Sequence, residues 1–210
     1  ASFTNKMALT LGLSGNTGVD FAVGSGTPVW NYNAGTGYND GKWHHIVATK
    51  TGTTYKIYVD GTELSFSTGA WAVGSNNRIA VGRSTPVYFD GKLSNVAIYN
   101  QVISAEDVKY LYNGGTPQTN ISFEPVSWWK LDNLTTGIQD SGSASNNGTN
   151  NGATEVTDSV AVDEWVFENT VQSQTPNWTS ALSFDGTNAI DLPTISFDMT
   201  NNLTLSCWIN

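Results

Sequence analysis

The stretch Asp40-Gly41-Lys42-Trp43-His44-His45-Ile46-Val47-Ala48, answered by Tyr55-Lys56-Ile57-Tyr58-Val59-Asp60-Gly61, decides the fold. Side chains alternate with the period of a half-buried strand: Trp43, His45 and Val47 fall on one face, and His44, Ile46 and Ala48 on the other. Thr51-Gly52-Thr53-Thr54 is a turn, and Tyr55, Ile57 and Val59 align on the return strand. Asp60-Gly61 signals a second hairpin, because glycine takes the positive φ that such turns require. Outward from this pair, further strands are predicted over Arg78 to Arg83 and Lys92 to Tyr99. Others are predicted over Ala181 to Phe184, Ala189 to Leu192 and Leu203 to Ile209, with a turn at Asp185-Gly186-Thr187-Asn188. One helix interrupts them. Ser104-Ala105-Glu106-Asp107 has the capping-box pattern, Val108, Leu111 and Tyr112 share a face, and Gly114-Gly115 ends it. Two or three turns suit a plug at one end of a sandwich better than a layer.

Composition agrees with an all-β chain. Aromatic residues are 11% with eight Trp, and charged residues are only 13%, which suits short strands and many tight turns. At 210 residues one β-sandwich domain is a sufficient reading. The net charge of −9 and the pI near 4.4 argue against nucleic acid and anionic membranes as partners. Cys207 is the one cysteine, so no intrachain disulfide forms, and its setting in Leu205-Ser206-Cys207-Trp208 marks it as a small packed hydrophobe. No apolar run reaches transmembrane length. The chain starts at Ala1 rather than Met, so it reads as a processed product, an excised piece or a stretch of something longer. Thr116 to Glu124 looks like a linker, and Pro125-Val126-Ser127-Trp128-Trp129-Lys130-Leu131 opens a new segment. The polar run from Asp140 to Gly152 has the composition of a disordered linker.

Taken in order, several segments resemble the laminin-G-like, concanavalin A-like lectin/glucanase family. These are Asp40 to Ala48, Tyr58-Val59-Asp60-Gly61, Phe89-Asp90-Gly91-Lys92-Leu93-Ser94-Asn95-Val96-Ala97-Ile98-Tyr99-Asn100, Ile103-Ser104-Ala105-Glu106-Asp107 and Tyr112-Asn113-Gly114. The remainder is similar to the family's opening half: Trp129-Lys130-Leu131, the loop from Asp140 to Gly148, Leu182-Ser183-Phe184-Asp185-Gly186 and Leu203 to Ile209. Glu155 to Pro176 resembles it least. The resemblance implies an antiparallel jelly-roll β-sandwich with one short helix. It also implies circularly permuted halves, because residues 1–118 match the family's C-terminal half and residues 119–210 its N-terminal half. The two sum to about one module. Three arrangements account for the order: one period of a tandem repeat cut at another phase, a permuted single module, or strand exchange between neighbouring chains.

The resemblance also implies non-catalytic work, as a carbohydrate- or protein-binding adhesion module of the extracellular space, cell surface or virion surface. The alternative is a structural block of a filament, fibre or capsid, self-associating or joined to neighbouring modules. A glycoside hydrolase needs a close pair of carboxylates, and no acidic residues alternate along one strand as related hydrolases have them. Asp158, Asp163, Glu164 and Glu168 cluster without that spacing, and no nucleophile elbow occurs. Calcium is the cofactor to expect: it takes about six to eight hard oxygens, and loops rich in Asp, Asn and Gly wrap around it. Its candidate ligands are Asp140, Asn146 and Asn147 in the family-like loop, Asp185 in the next turn, and Asn95, where Ser94-Asn95 replaces an acidic pair frequent in relatives. Capping of turns by Asp and Asn is the competing explanation. His44 and His45 point to opposite faces of a strand and cannot chelate one ion. Trp30, Tyr32, Tyr38, Trp71 and Tyr88 sit in Gly/Asn/Ser-rich segments and are the candidates for stacking on sugar rings.

Overall fold

The computed structural model describes residues 3–11, 19–26, 29–34, 37–52, 54–64, 80–81, 83–84, 87–115, 123–157, 180–193 and 202–210. Within these, the first strands are β1 Phe3–Leu11, β2 Val19–Gly26, β3 Val29–Ala34, β4 His44–Thr51, β5 Thr54–Val59, β6 Thr62–Leu64, β7 Ala80–Val81, β8 Arg83–Ser84, β9 Val87–Tyr88 and β10 Asp90–Tyr99. Helix α1, Ala105–Tyr112, follows. The remaining strands are β11 Ser127–Trp129, β12 Thr149–Asn151, β13 Thr154–Val156, β14 Ala181–Asp185, β15 Ala189–Asp191 and β16 Asn202–Ile209. The predicted strand over Arg78 to Arg83 is thus found as two short pieces. The cluster Asp158, Asp163, Glu164 and Glu168 lies outside the described residues.

One eight-stranded antiparallel sheet dominates, in the order β13-β14-β10-β16-β4-β5-β6, with β11 also paired to β10. Strand β10 has β14 beside Asp90 to Leu93 and β11 beside Val96 to Ile98 along one edge. Its other edge belongs to β16, whose far side pairs with β4 from Asn202↔Thr51 to Ile209↔His44. Strands from both sides of the Thr116 to Glu124 seam therefore share one sheet within one chain. Strands β1-β2-β3 form a separate antiparallel sheet, and β8 pairs with β9.

Both faces of the large sheet are covered. On one, Ile46, Ala48, Ile57, Val59, Leu93, Ile98 and Leu203 pack with Trp129, Leu131, Ile138, Ile190 and Leu192. Ile190 belongs to the small sheet β12-β15-β7, so this is the core of an antiparallel β-sandwich. On the other, Val47, Tyr58, Ala97 and Tyr99 meet Ile103, Val108 and Leu111. Helix α1 therefore lies over the outer face of the sheet, not at the end of the sandwich where its length suggested. Burial of Val108 and Leu111 contributes about 1.5–3 kcal/mol each. The capping box forms as read, with the Ser104 hydroxyl accepting from Asp107 N at 3.1 Å and Ser104 N donating to Asp107 Oδ2 at 2.9 Å. The left-handed C-cap is Asn113 (φ 45°), one residue before the expected glycines. Thr204 of β16 fixes the approach to the helix: its hydroxyl donates to Gln101 O at 2.7 Å and accepts from Ile103 N at 3.2 Å.

The polar run after Asp140 is ordered, contrary to its linker-like composition. Bridges Trp129↔Asp140 and Ile138↔Gly148 tie it to the sandwich. Gly148 lies so close to Leu192 and Ile138 that a Cβ there would meet them at 2.8 and 2.9 Å.

Strand β10 carries a bulge. Leu93↔Ile209 and Ser94↔Trp208 are followed by Ala97↔Ser206, one extra residue on the β10 side. Asn95 absorbs it in the left-handed region (φ 50°), donates its amide to Lys130 O at 2.9 Å and accepts the Trp128 indole N–H at 3.1 Å. The extra residue shifts the alternation, so that Leu93 and then Val96 and Ile98 face the core, while Ala97 and Tyr99 face the helix. A β-branched side chain is disfavoured at positive φ. Asn95→Val is expected to lower stability by about 1–3 kcal/mol, with Asn95→Gly less harmful, in urea unfolding midpoints.

Candidate functional site

The loop after Asp140 is built around one carboxylate. Asp140 Oδ1 accepts from Trp128 N at 2.7 Å and Gly142 N at 2.8 Å, and Oδ2 accepts from Asn146 N at 2.7 Å. Asn147 Oδ1 accepts from Asp140 N at 2.9 Å. Asn146 donates its side-chain amide to Ser127 Oγ at 2.9 Å, and its carbonyl accepts the buried Trp129 indole N–H at 2.9 Å. Gly142 runs against the start of β11, where a Cβ would meet Ser127 Cα and Val126 O at 2.6 Å.

Asp140, Asn146 and Asn147 are thus brought together as the sequence suggested. Asn95 adjoins the same segment through Trp128 and Lys130. Asp185 stands elsewhere, opposite Asp90 at the far end of β10, accepting from Thr187 N at 2.9 Å and Thr187 Oγ1 at 2.7 Å. Those bonds hold its carboxyl below the ordinary range. Three N–H groups converge on Asp140 and take up three of the roughly four lone-pair sites of its carboxylate. Among the described residues no three His, Cys, Asp or Glu side chains are grouped so as to hold a metal ion. Calcium held by this loop in the native state would raise the melting temperature in millimolar calcium above that in EDTA, and equal values in the two would exclude a stabilising site. Asp140→Ala, by orphaning three partly buried donors, should lower stability by about 1–3 kcal/mol, read by calorimetry.

The aromatic candidates divide differently. Trp71 lies outside the described residues, and Trp30 and Tyr32 are placed only as backbone positions of β3. Tyr38 is half-buried, packs against the core and meets His44 edge-on with ring centroids 5.3 Å apart. Tyr88, half-buried, sits opposite Arg83 in the two-stranded sheet.

A cleft of about 210 Å³ opens beside the Asp140 loop. Lys130, Asp132, Asn133, Thr136, Gln139 and Ser141 supply its polar wall. The Lys130 ammonium rests over the Trp128 ring, 4.9 Å from its centroid. Leu131 turns the chain at φ 59°, burying its own side chain and setting Lys130 and Asp132 on either side. Gln139 Nε2 donates to Thr136 O at 2.6 Å and Asn133 Oδ1 accepts from Thr135 N at 2.8 Å, while Asp132 and the Ser141 hydroxyl have no partner among the described residues. Sequence reading passed over Asp132 and Ser141. The signal was present in Trp129-Lys130-Leu131-Asp132, where a buried hydrophobe stands between two charges just before a turn.

The two histidines have opposite surroundings. His44 Nδ1 lies 2.7 Å from Asp60 Oδ2 and Nε2 lies 3.1 Å from Asp40 Oδ1, so only the imidazolium donates to both. The Asp60 bond, against the cost of burial and with help from Asp40, raises the His44 pKa. Asp40, bonded to Lys42 and His44, is lowered to about 2. His45 is enclosed, and burial pushes it down to about 3. Below pH 6.5 the unfolded chain protonates at His45 while the folded chain does not, so stability falls as pH falls from 6.5 towards 3. His44 acts oppositely, its contribution being complete below 6.5 and lost as pH rises through its folded pKa. Between pH 7 and 5, His45→Gln should lose less stability than the parent and His44→Gln more, by urea midpoints at each pH.

The sequence model of the laminin G type within the concanavalin A-like lectin/glucanases superfamily matches residues 1–109. No curated protein and no solved structure matches the chain.

Proposed function

Because the chain belongs to the concanavalin A-like lectin/glucanase superfamily, we propose that it is a non-catalytic recognition module, taking a hydroxyl-rich ligand, a glycan terminus above all, in the cleft between Lys130 and Ser141. The observation that carries this reading is the set of hydrogen-bonding groups left for a ligand there: the Asp132 carboxylate, the Ser141 hydroxyl and the Lys130 ammonium. Acceptors and donors side by side match a sugar, whose hydroxyls do both. The volume is below the range of about 300–1,000 Å³ usual for drug-sized ligands and suits a single ring. Asp132 is the sole acidic residue among those lining the cleft, whereas glycoside hydrolysis needs two carboxylates. No helix among the described residues is long and apolar enough to cross a membrane. An extracellular, cell-surface or virion-surface setting accords with the family and with glycans as partners.

A building block assembled from serial modules is the second reading, and it needs no strand exchange, because β16 fills the slot between β10 and β4 from within the chain. Glycan-array screening followed by NMR titration tests the proposal. Shifts should concentrate at residues 130–141, and Asp132→Ala should weaken binding about tenfold or more through loss of a charge-assisted hydrogen bond. Binding that leaves residues 130–141 unperturbed, or no binding to any glycan, would sink it.

A further inference from the structure

His44 joins two pieces of chain through one ring. It stands at the start of β4 with 11% of its side-chain surface exposed. As the imidazolium, it donates from Nδ1 to Asp60 Oδ2 at 2.7 Å and from Nε2 to Asp40 Oδ1 at 3.1 Å. The two carboxylates differ in how they are fixed. Asp60, in the turn from β5 to β6, also accepts from His45 N through Oδ1 at 2.9 Å, and its own amide donates to His45 O at 2.9 Å. Asp40 is exposed, and its other bonds, from Lys42 N and Lys42 Nζ at 3.0 Å each, stay inside its own segment. Among the described residues, hydrogen bonds leave residues 38–42 at two points: Asp40 to His44, and Gly41 O, which accepts from Asn210 Nδ2 at 2.8 Å. Tyr38 rests edge-on against the same imidazole.

A neutral imidazole has one N–H to give. The shorter bond, to the carboxylate that β4 also holds through a backbone amide, keeps that proton on Nδ1. The Nε2 lone pair then faces Asp40 Oδ1, acceptor against acceptor, and the carboxylate loses its hold on the ring. We propose that the His44 proton works a pH-dependent clasp: the protonated ring ties residues 38–42 to the β5–β6 turn, and the neutral ring keeps Asp60 but lets Asp40 turn to solvent. Asn210 is then the remaining hydrogen-bonded tie of residues 38–42. The other ionisable groups here are Tyr38, Lys42 paired with Asp40, and Tyr112 of α1, which feels the charge of Asp60. The His45 ring lies on the opposite face of β4. The Asp60 bond, helped by Asp40, outweighs the cost of burial and favours the cation. The clasp is therefore complete below pH 6.5 and opens as pH rises through the higher folded value. Opening frees the edge of the His44 ring and loosens Tyr38 beside it. The inference does not depend on what the cleft binds.

An NMR titration of the unaltered chain across the neutral range tests it. The His44 midpoint should lie above 6.5, and the neutral ring should carry its proton on Nδ1. The Gly41 and Lys42 amide resonances should move with that midpoint, and the nuclear Overhauser contact between Tyr38 and His44 should weaken across it. Asp40→Asn, at an exposed position, supplies a carboxamide that donates to the neutral Nε2. In that variant the Tyr38–His44 contact should persist at every pH, and the His44 midpoint should fall below that of the parent. A neutral ring protonated on Nε2, a midpoint at or below 6.5, or Gly41 and Lys42 resonances indifferent to His44 would overturn the proposal. So would a Tyr38–His44 contact that does not change in the parent, or one that weakens in Asp40→Asn as the parent's does.

Discussion

A strand in the middle of a sheet needs a partner along each edge, and β16 meets that need for both β10 and β4. Without it, two rows of backbone N–H and C=O groups would face each other across a gap too wide to bridge. Its side chains serve both layers. Leu203 and Ile209 enter the sandwich core, with Leu205 and Cys207 packed beside them. Thr204, Ser206 and Trp208, on the opposite face, respectively anchor the approach to α1, bond His45 and stack on it. Placement of the helix and of the buried histidine follows from this one insertion.

The abundance of Asp and Asn has a local explanation. Asp40 accepts from Lys42 N, Asn133 from Thr135 N, Asp140 from three amides, Asn150 from Ala153 N and Asp185 from Thr187 N. Each satisfies a backbone donor where no ladder is available. An acidic, amide-rich composition is therefore the mark of a chain with many tight loops, and it needs no bound cation to account for it. Asp132, among the described residues, makes no such bond.

Features set by near neighbours were legible in the sequence. The two-face alternation of Trp43 to Ala48, the Asp60-Gly61 hairpin and the Ser104 to Asp107 capping box depend on residues a few positions apart. Those set at a distance were not. The bulge at Asn95 exists because Lys130 O and the Trp128 indole meet it from a segment more than thirty residues later. Asp140 orders a loop of linker-like composition because Trp128 N lies at hand, and the His44 pKa is raised because Asp60 returns beside it after a hairpin. The helix was placed wrongly for the same reason. Its apolar face was plain, but the surface it covers combines Val47, Tyr58 and Ala97 from three strands.

The insertion of β16 also has a consequence for how the chain is made. During synthesis from the N-terminal side, β4, β5 and β10 leave the ribosome long before residues 202–209. Throughout that interval the slot for β16 is open, bordered by Ile46, Ala48 and Ile98 on one face and Val47 and Ala97 on the other. Non-local pairing of this kind is slow, and an open edge invites any extended segment nearby. Until β16 pairs, the sheet keeps two open edges of the kind that lead to association between chains.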